Sequence, residues 1–218
     1  TAQLGLARPN HPNSSIQSSM LNQENRNGNT FNGNAFVDIT FLKDFKFTFN
    51  VGTTVNEIRY YTTTNPYYGF GAEQNGTVTM YHYRTTTLNL QQILNYSHNF
   101  GKHNISVMLG HESYKYNYAE LSASKKNMFS YWGNHELNGA VIDGSSAASY
   151  SNDYNTEGYF FRALYDYDAK YYFSASYRRD ASSRFHPDHW WGNFYSVGGA
   201  YLMSKEDWFD VKWIDMLK

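Results

Sequence analysis

Cysteine is absent from this chain of 218 residues, which removes disulfides and thiolate metal sites and is compatible with an exported protein stapled by neither. Long apolar runs are absent too: no stretch reaches about 18 consecutive apolar residues, so helical membrane spans are excluded. Charge of one sign is missing, with 18 Lys and Arg against 19 Asp and Glu and a net charge of −1, so no general electrostatic attraction to nucleic acid exists. Residues 1–34 are rich in Gly, Asn and Ser and lack the basic-then-apolar start of a secretory leader. For an exported protein, that lack places the expected beginning upstream of Thr1.

What the chain does have is aromatic side chains: 21 Tyr, 15 Phe and 5 Trp, 19% of all residues. Yet its mean hydropathy is −0.67 and only 41% of its residues are hydrophobic. A membrane β-barrel combines these properties, because only every second residue of a strand must be apolar, the strand ends are ringed with aromatics, and the lumen is polar.

Alternation supports strands. Residues 159–185 read as two such stretches around an Asp168-Ala169 turn. Phe161, Ala163, Tyr165 and Tyr167 face one way, against Arg162, Leu164 and Asp166; after the turn Tyr171, Phe173, Ala175 and Tyr177 oppose Tyr172, Ser174, Ser176 and Arg178. Residues 35–42 and 45–56 form an earlier hairpin around Lys43-Asp44, with Phe47 on the apolar side and Thr48 on the other. A third hairpin spans 77–98 and 104–118, joined by 99–103, and a last strand covers 192–203. Residues 59–76, 119–156 and 181–190 read as loops, so short and long connections alternate. Outer-membrane barrels have short periplasmic turns and longer outer loops, whereas a soluble sandwich has no reason to keep that rhythm.

The fold class is therefore all-β: an antiparallel transmembrane β-barrel of which about seven strands are present. Residues 1–34 are assigned to an outer loop region, 35–203 to strands and loops, and 204–218 to a periplasmic turn, all within one barrel domain spanning 1–218. Seven strands cannot close by themselves, so an internal piece of a larger barrel is expected.

Several motifs carry a family resemblance. Arg178-Arg179-Asp180-Ala181-Ser182-Ser183-Arg184-Phe185, followed by Trp191-Gly192-Asn193-Phe194-Tyr195-Ser196-Val197, resembles the R-R-D-G-S-S-R-F and W-G-x-F-P-S-x motifs of the SusC/RagA family of TonB-dependent outer-membrane transporters. Phe100-Gly101-Lys102-His103-Asn104-Ile105 with Leu109-Gly110-His111-Glu112 is similar to that family's F-G-K-H and L-x-G-x-E hairpin, and Phe41-Leu42-Lys43-Asp44-Phe45 to its first-hairpin turn. The matches follow the family's order across most of residues 34–209. Ala181 departs where Gly is usual, and Tyr195 where Pro is usual. The resemblance implies a barrel of about 22 strands with an N-terminal plug that is absent here. It also implies a place in a Gram-negative outer membrane, a SusD-like surface lipoprotein and TonB as partners, TonB acting through an N-terminal region missing here, and import of oligosaccharides or peptides. A passive porin, an adhesive surface barrel and a soluble all-β binding module are the alternatives.

No catalytic residues, metal or cofactor are expected, and the chain does not read as an enzyme. Ser, His and Asp occur without a nucleophile-elbow context, and His111-Glu112, neighbours on a strand, point to opposite faces. His186-Pro187-Asp188-His189 offers three ligand atoms but implies no fourth. Arg162, Asp166, Arg178, Arg179, Asp180 and Arg184 are expected to face the lumen or the outer rim, since charge near the lipid midplane costs about 2–4 kcal/mol. They form either a structural ion-pair network or part of a solute path. Tyr67, Tyr68, Trp132, Trp190 and Trp191 lie in or beside the outer loops, where they stack on sugar rings, pack on the partner lipoprotein, or, for Trp190 and Trp191, join the interfacial girdle.

Overall fold

The computed structural model describes residues 20–209, 211 and 213–218. Seven strands follow one another: β1 (Gln23–Phe41), β2 (Phe45–Thr64), β3 (Thr77–Phe100), β4 (His103–Met128), β5 (Ala140–Tyr167), β6 (Tyr171–Ser182) and β7 (Trp191–Tyr201). They lie in one sheet in chain order, each hydrogen-bonded to its sequence neighbours. This up-and-down antiparallel order is that of a barrel wall, and short hairpins suffice to make it.

Three connections are tight. Leu42 and Lys43 both adopt positive φ, 50° and 63°, so the first turn is centred one residue earlier than Lys43-Asp44. Gly101 at φ 64° turns β3 into β4, closing a connection expected to take residues 99–103. Asp168 and Ala169, at φ 55° and 48°, form a type I′ turn closed by the Lys170 amide donating to the Tyr167 carbonyl at 3.0 Å. The hand of such turns matches the twist of the strands they join.

The strands run well past the alternating stretches. β2 extends to Thr64, into residues expected to be loop, and β1 begins at Gln23 rather than at residue 35. The largest departure is residues 119–156: β4 continues to Met128 and β5 starts at Ala140, leaving a connection of only 129–139. A strand with polar surroundings on both faces needs no apolar alternation, because its backbone ladder alone holds it, and the period used to detect it vanishes. Residues 1–19 of the region assigned to an outer loop fall outside the described residues. Residues 203–205 form a single 3-10 turn after β7.

Contacts divide the chain into two units, to both of which β1 to β5 contribute. One comprises the residues up to Phe31, Val55–Thr86 and Asn117–Asn152. Its small core is Val78, Met128, Tyr131 and Ala140, flanked by Met80 and Leu137. The connection from β2 to β3 carries a one-turn helix, α1 (Phe70–Glu73), and is held by buried Asn65. Its side-chain oxygen accepts from the amides of Tyr67 at 3.0 Å and Tyr68 at 2.8 Å, an Asx turn that fixes both tyrosines.

The other unit, Asn32–Thr54, Thr87–Tyr116 and Asp153–Lys218, contains the three tight turns. Its register sets two faces. Phe161↔Tyr177, Ala163↔Ala175 and Tyr165↔Phe173 put the apolar set of β5 and β6 on one side, and Tyr195, Val197 and Tyr201 of β7 join it. Phe173 is 51% exposed, Val197 71% and Tyr195 84%, so nothing among the described residues covers this face. Two aromatic rows bound it. Near the tight turns, rings touch in series across all seven strands: Phe41–Phe45 5.5 Å, Phe45–Tyr96 4.8 Å, Tyr96–His98 6.3 Å, His98–Phe100 5.5 Å, Phe100–His103 5.5 Å, His103–Tyr167 4.9 Å, Tyr167–Tyr171 6.3 Å and Tyr171–Tyr201 4.9 Å. Farther along the strands His111 stacks on Tyr159 at 4.7 Å, Tyr159 meets Trp191 at 6.0 Å, and the Arg179 guanidinium lies over Trp191 at 4.7 Å. β7 runs 11 residues between the two rows. At about 3.3 Å per residue and a tilt near 40°, that spans about 25 Å, the height of a barrel's lipid-facing band.

Candidate functional site on the polar face of β4 to β7

Opposite the apolar band, even-numbered positions of β4, β5, β6 and β7 share a polar face, set by Gly158↔Asp180↔Gly192 and Phe160↔Arg178↔Phe194. The organising group is Arg178. Its Nε donates to both oxygens of Asp180, at 2.7 and 2.8 Å, and its Nη2 reaches Glu112 of β4 at 3.5 Å. The guanidinium also sits over the ring of Phe160, 5.5 Å from its centroid. Side-chain exposures of 47%, 30% and 34% for Arg178, Glu112 and Asp180 leave the group open to water, so its pairing contributes positioning more than stability.

Two glycines make the arrangement possible. A Cβ at Gly110 would lie 2.0 Å from the Phe160 ring, so the ring rests directly on the β4 backbone. A Cβ at Gly158 would lie 2.5 Å from Asp180 Oδ1 and 3.1 Å from Arg178 Nη2, so the ion pair lies close over β5. Gly110 thus seats Phe160, Phe160 underlies Arg178, and Arg178 joins Asp180 to Glu112. The Leu109-Gly110-His111-Glu112 and Arg178-Arg179-Asp180 motifs, far apart in the chain, are one construction.

Beside this group lies a groove of about 610 Å³, walled by Tyr114, Phe185, Trp190 and Phe194. The Trp190 indole N–H donates to the Phe185 carbonyl at 2.8 Å, which fixes its ring. Net charge over Glu112, Asp180 and Arg178 is negative by one, and the walls are aromatic. Such a surface offers side-chain hydrogen bonds and ring contacts.

The remaining sequence-derived candidates are dispersed. Arg179, next to Arg178, points to the apolar face and lies over Trp191, as strand alternation requires. Arg184 lies over Tyr154 at 4.0 Å. Asp166 accepts from Asn104 at 2.9 Å and from the Ala169 amide at 3.2 Å, tying β4 to the Asp168-Ala169 turn. Arg162 lines a separate groove of about 520 Å³ with Ser174 and Gly198. Of the six charged candidates, only Arg178 and Asp180 pair with each other. Ala181 is extended and paired with Glu157 and Trp191, so the position usually held by Gly needs no positive φ here.

In the first unit, exposed Tyr67 meets Tyr131 edge-on at 6.0 Å, and Tyr131 meets exposed Trp132 at 5.2 Å, while Tyr68 is half-buried. His186, Asp188 and His189 lie in a 3-10 turn, where the Asp188 amide donates to His186 Nδ1 at 3.4 Å. His111 and Glu112 do take opposite faces, His111 bonding Gln92 and Glu157 on the apolar side. Glu112, Gly110, Phe160, Tyr114 and Phe194 escaped sequence reasoning as site residues, although the parity of each strand, once its register is known, places them all on one face.

At the tight turns, Lys102 donates to Asp168 at 2.8 Å and Lys170 to Glu206 at 3.1 Å. These bonds hold both carboxyls below the usual carboxylate range and push both ammonium groups up.

No family model matches the chain. Among curated proteins, it is 29% identical over 191 residues to TonB-dependent receptor P3 of Formosa agariphila, covering 84% of this chain and 18% of that receptor. It is 26% identical over 221 aligned positions to TonB-dependent receptor SusC of Bacteroides thetaiotaomicron, covering 97% of this chain and 21% of SusC. The chain is similar to a stretch of SusC/RagA-type receptor barrel. This SusC/RagA-like stretch spans about a fifth of the length of the curated relatives it matches. Among solved structures, the RagAB peptide transporter superposes with a TM-score of 0.78 at 24% identity, covering 85% of this chain and 21% of that one. The RagAB peptide importer in its open-open state gives 0.78 at 23%, covering 87% and 21%. At those identities the likeness is one of fold: the seven-stranded sheet is a wall of the same kind of barrel.

Proposed function

We propose that the chain forms part of the wall of an outer-membrane, TonB-dependent importer that takes up oligosaccharides or peptides together with a SusD-like surface lipoprotein. The observation carrying this reading is the division of one sheet into an uncovered apolar band about 25 Å high, bounded by aromatic rows, and a charged face opposite. The receptor relatives, named for TonB dependence, supply the energy source. The wall residues described above contribute no bond-making step; they orient solute or brace the lumen.

The test is made on the full-length receptor in its own host. Density-gradient fractionation should place it in the outer membrane, an affinity tag on it should retain a surface lipoprotein, and uptake of labelled oligosaccharide or oligopeptide should stop when TonB is deleted. Uptake that persists without TonB would indicate a passive pore. Recovery in the soluble fraction would indicate a soluble binding module.

A further inference from the structure

Resting on that importer reading, we propose that the groove beside Arg178 is a subsite for an uncharged sugar ring of the solute. Its volume, about 610 Å³, lies within the range of about 300–1,000 Å³ that small-ligand sites occupy. Gly158 and Gly192, aligned across β5, β6 and β7 on the polar face, let the Arg178–Asp180 pair and the Phe194 ring lie close over the sheet at its floor. Trp190, pinned by its bond to Phe185, supplies aromatic surface held in place before a ligand arrives, and Phe194, 60% exposed, adds a second ring.

The polar complement selects the ligand class. Sugar hydroxyls donate and accept at once, and here a guanidinium with free donors stands between two carboxylates with free acceptor positions. A peptide would seek backbone ladder bonds, but β6 beneath the groove is paired on both sides, to β5 and to β7, and presents no open edge. Two carboxylates against one guanidinium also repel an acidic ligand. An uncharged saccharide satisfies all three conditions; an acidic saccharide fails one and a peptide another.

The experiment uses the full-length receptor with its lipoprotein, probed on arrays of neutral oligosaccharides, uronate-containing oligosaccharides and oligopeptides. Neutral oligosaccharides should bind, and Trp190→Ala and Asp180→Asn should each weaken that binding by about tenfold or more. Trp190→Phe should retain most of it, and all three variants should keep the heat-modifiable gel band of a folded barrel. Binding of peptides or uronates alone overturns the proposal. So does neutral-saccharide binding unchanged in Trp190→Ala and Asp180→Asn, which would mean that another part of the receptor fills the groove. Binding to none of the three arrays sinks the importer reading itself, and the subsite with it.

Discussion

Gly110→Ala is the sharpest perturbation of the polar-face construction. The new Cβ would stand 2.0 Å from Cε2 and 2.1 Å from Cζ of Phe160, far inside van der Waals contact, so the ring must leave its seat. Inserting a methyl into a filled position typically costs about 1–3 kcal/mol. Displacing the ring also removes the surface under the Arg178 guanidinium, about 0.5–1 kcal/mol at an exposed site. Gly110→Ala alone is therefore expected to destabilise the full-length receptor by about 1.5–4 kcal/mol. In a Phe160→Ala background the clash is gone, and the same substitution should cost no more than about 0.5 kcal/mol. Urea unfolding of the four proteins of this cycle, refolded in lipid vesicles, measures the coupling from midpoints and slopes. A cost for Gly110→Ala that is equal in both backgrounds, or near zero in the parent, would refute the seating of Phe160 on β4.

The two faces predict that Phe173→Arg impairs assembly, losing about 1–2 kcal/mol because it lies two residues inside the row at Tyr171, between interface and midplane, while the adjacent Ser174→Arg is tolerated; the yield of the heat-modifiable band in outer membranes compares them, and equal yields contradict the register. At the tight turns, the depressed carboxyls of Asp168 and Glu206 contribute stability above about pH 4, lost as pH falls through their lowered folded values. The raised ammonium groups contribute below about pH 10.4 and fail only above that. Melting scans should thus show a steeper acid loss in the parent than in a Lys102→Met, Lys170→Met double variant, and parallel profiles would exclude these pairs as the cause. Ala169 adopts φ 48° at a cost that glycine does not bear, so Ala169→Gly should stabilise the β5–β6 hairpin by up to about 1 kcal/mol, readable as slower unfolding; faster unfolding would argue against the left-handed turn.

Legibility in the sequence followed the lipid. Where one face of a strand meets hydrocarbon, as at Phe161 to Tyr167 and Tyr171 to Tyr177, alternation announced both the strand and its faces, and the Asp168-Ala169 turn between them was readable to the residue. Where both faces meet polar surroundings, as in the later part of β4 and the earlier part of β5, Ser, Asn and Lys read as loop while the backbone ladder kept the strand going. The candidate site was half visible. Arg178 and Asp180 stood out as charges two residues apart, but Arg179 was grouped with them although parity sends it to Trp191. Glu112, Gly110 and Phe160 carried no signal of their own, because their roles arise from register between strands, which one sequence does not display.

The aromatic row near the tight turns bears on how such a wall is assembled. A strand that slips by one residue exchanges its apolar and polar sides and is rejected on that ground. A slip of two residues keeps the sides correct and escapes that check, yet it carries the strand's ring about 7 Å out of line with its neighbours. Because ring contacts run without a gap from Phe41 to Tyr201, every one of the seven strands is subject to this second test. The row that marks a depth in the bilayer is thus also a vernier, proofreading strand register as the barrel zips together.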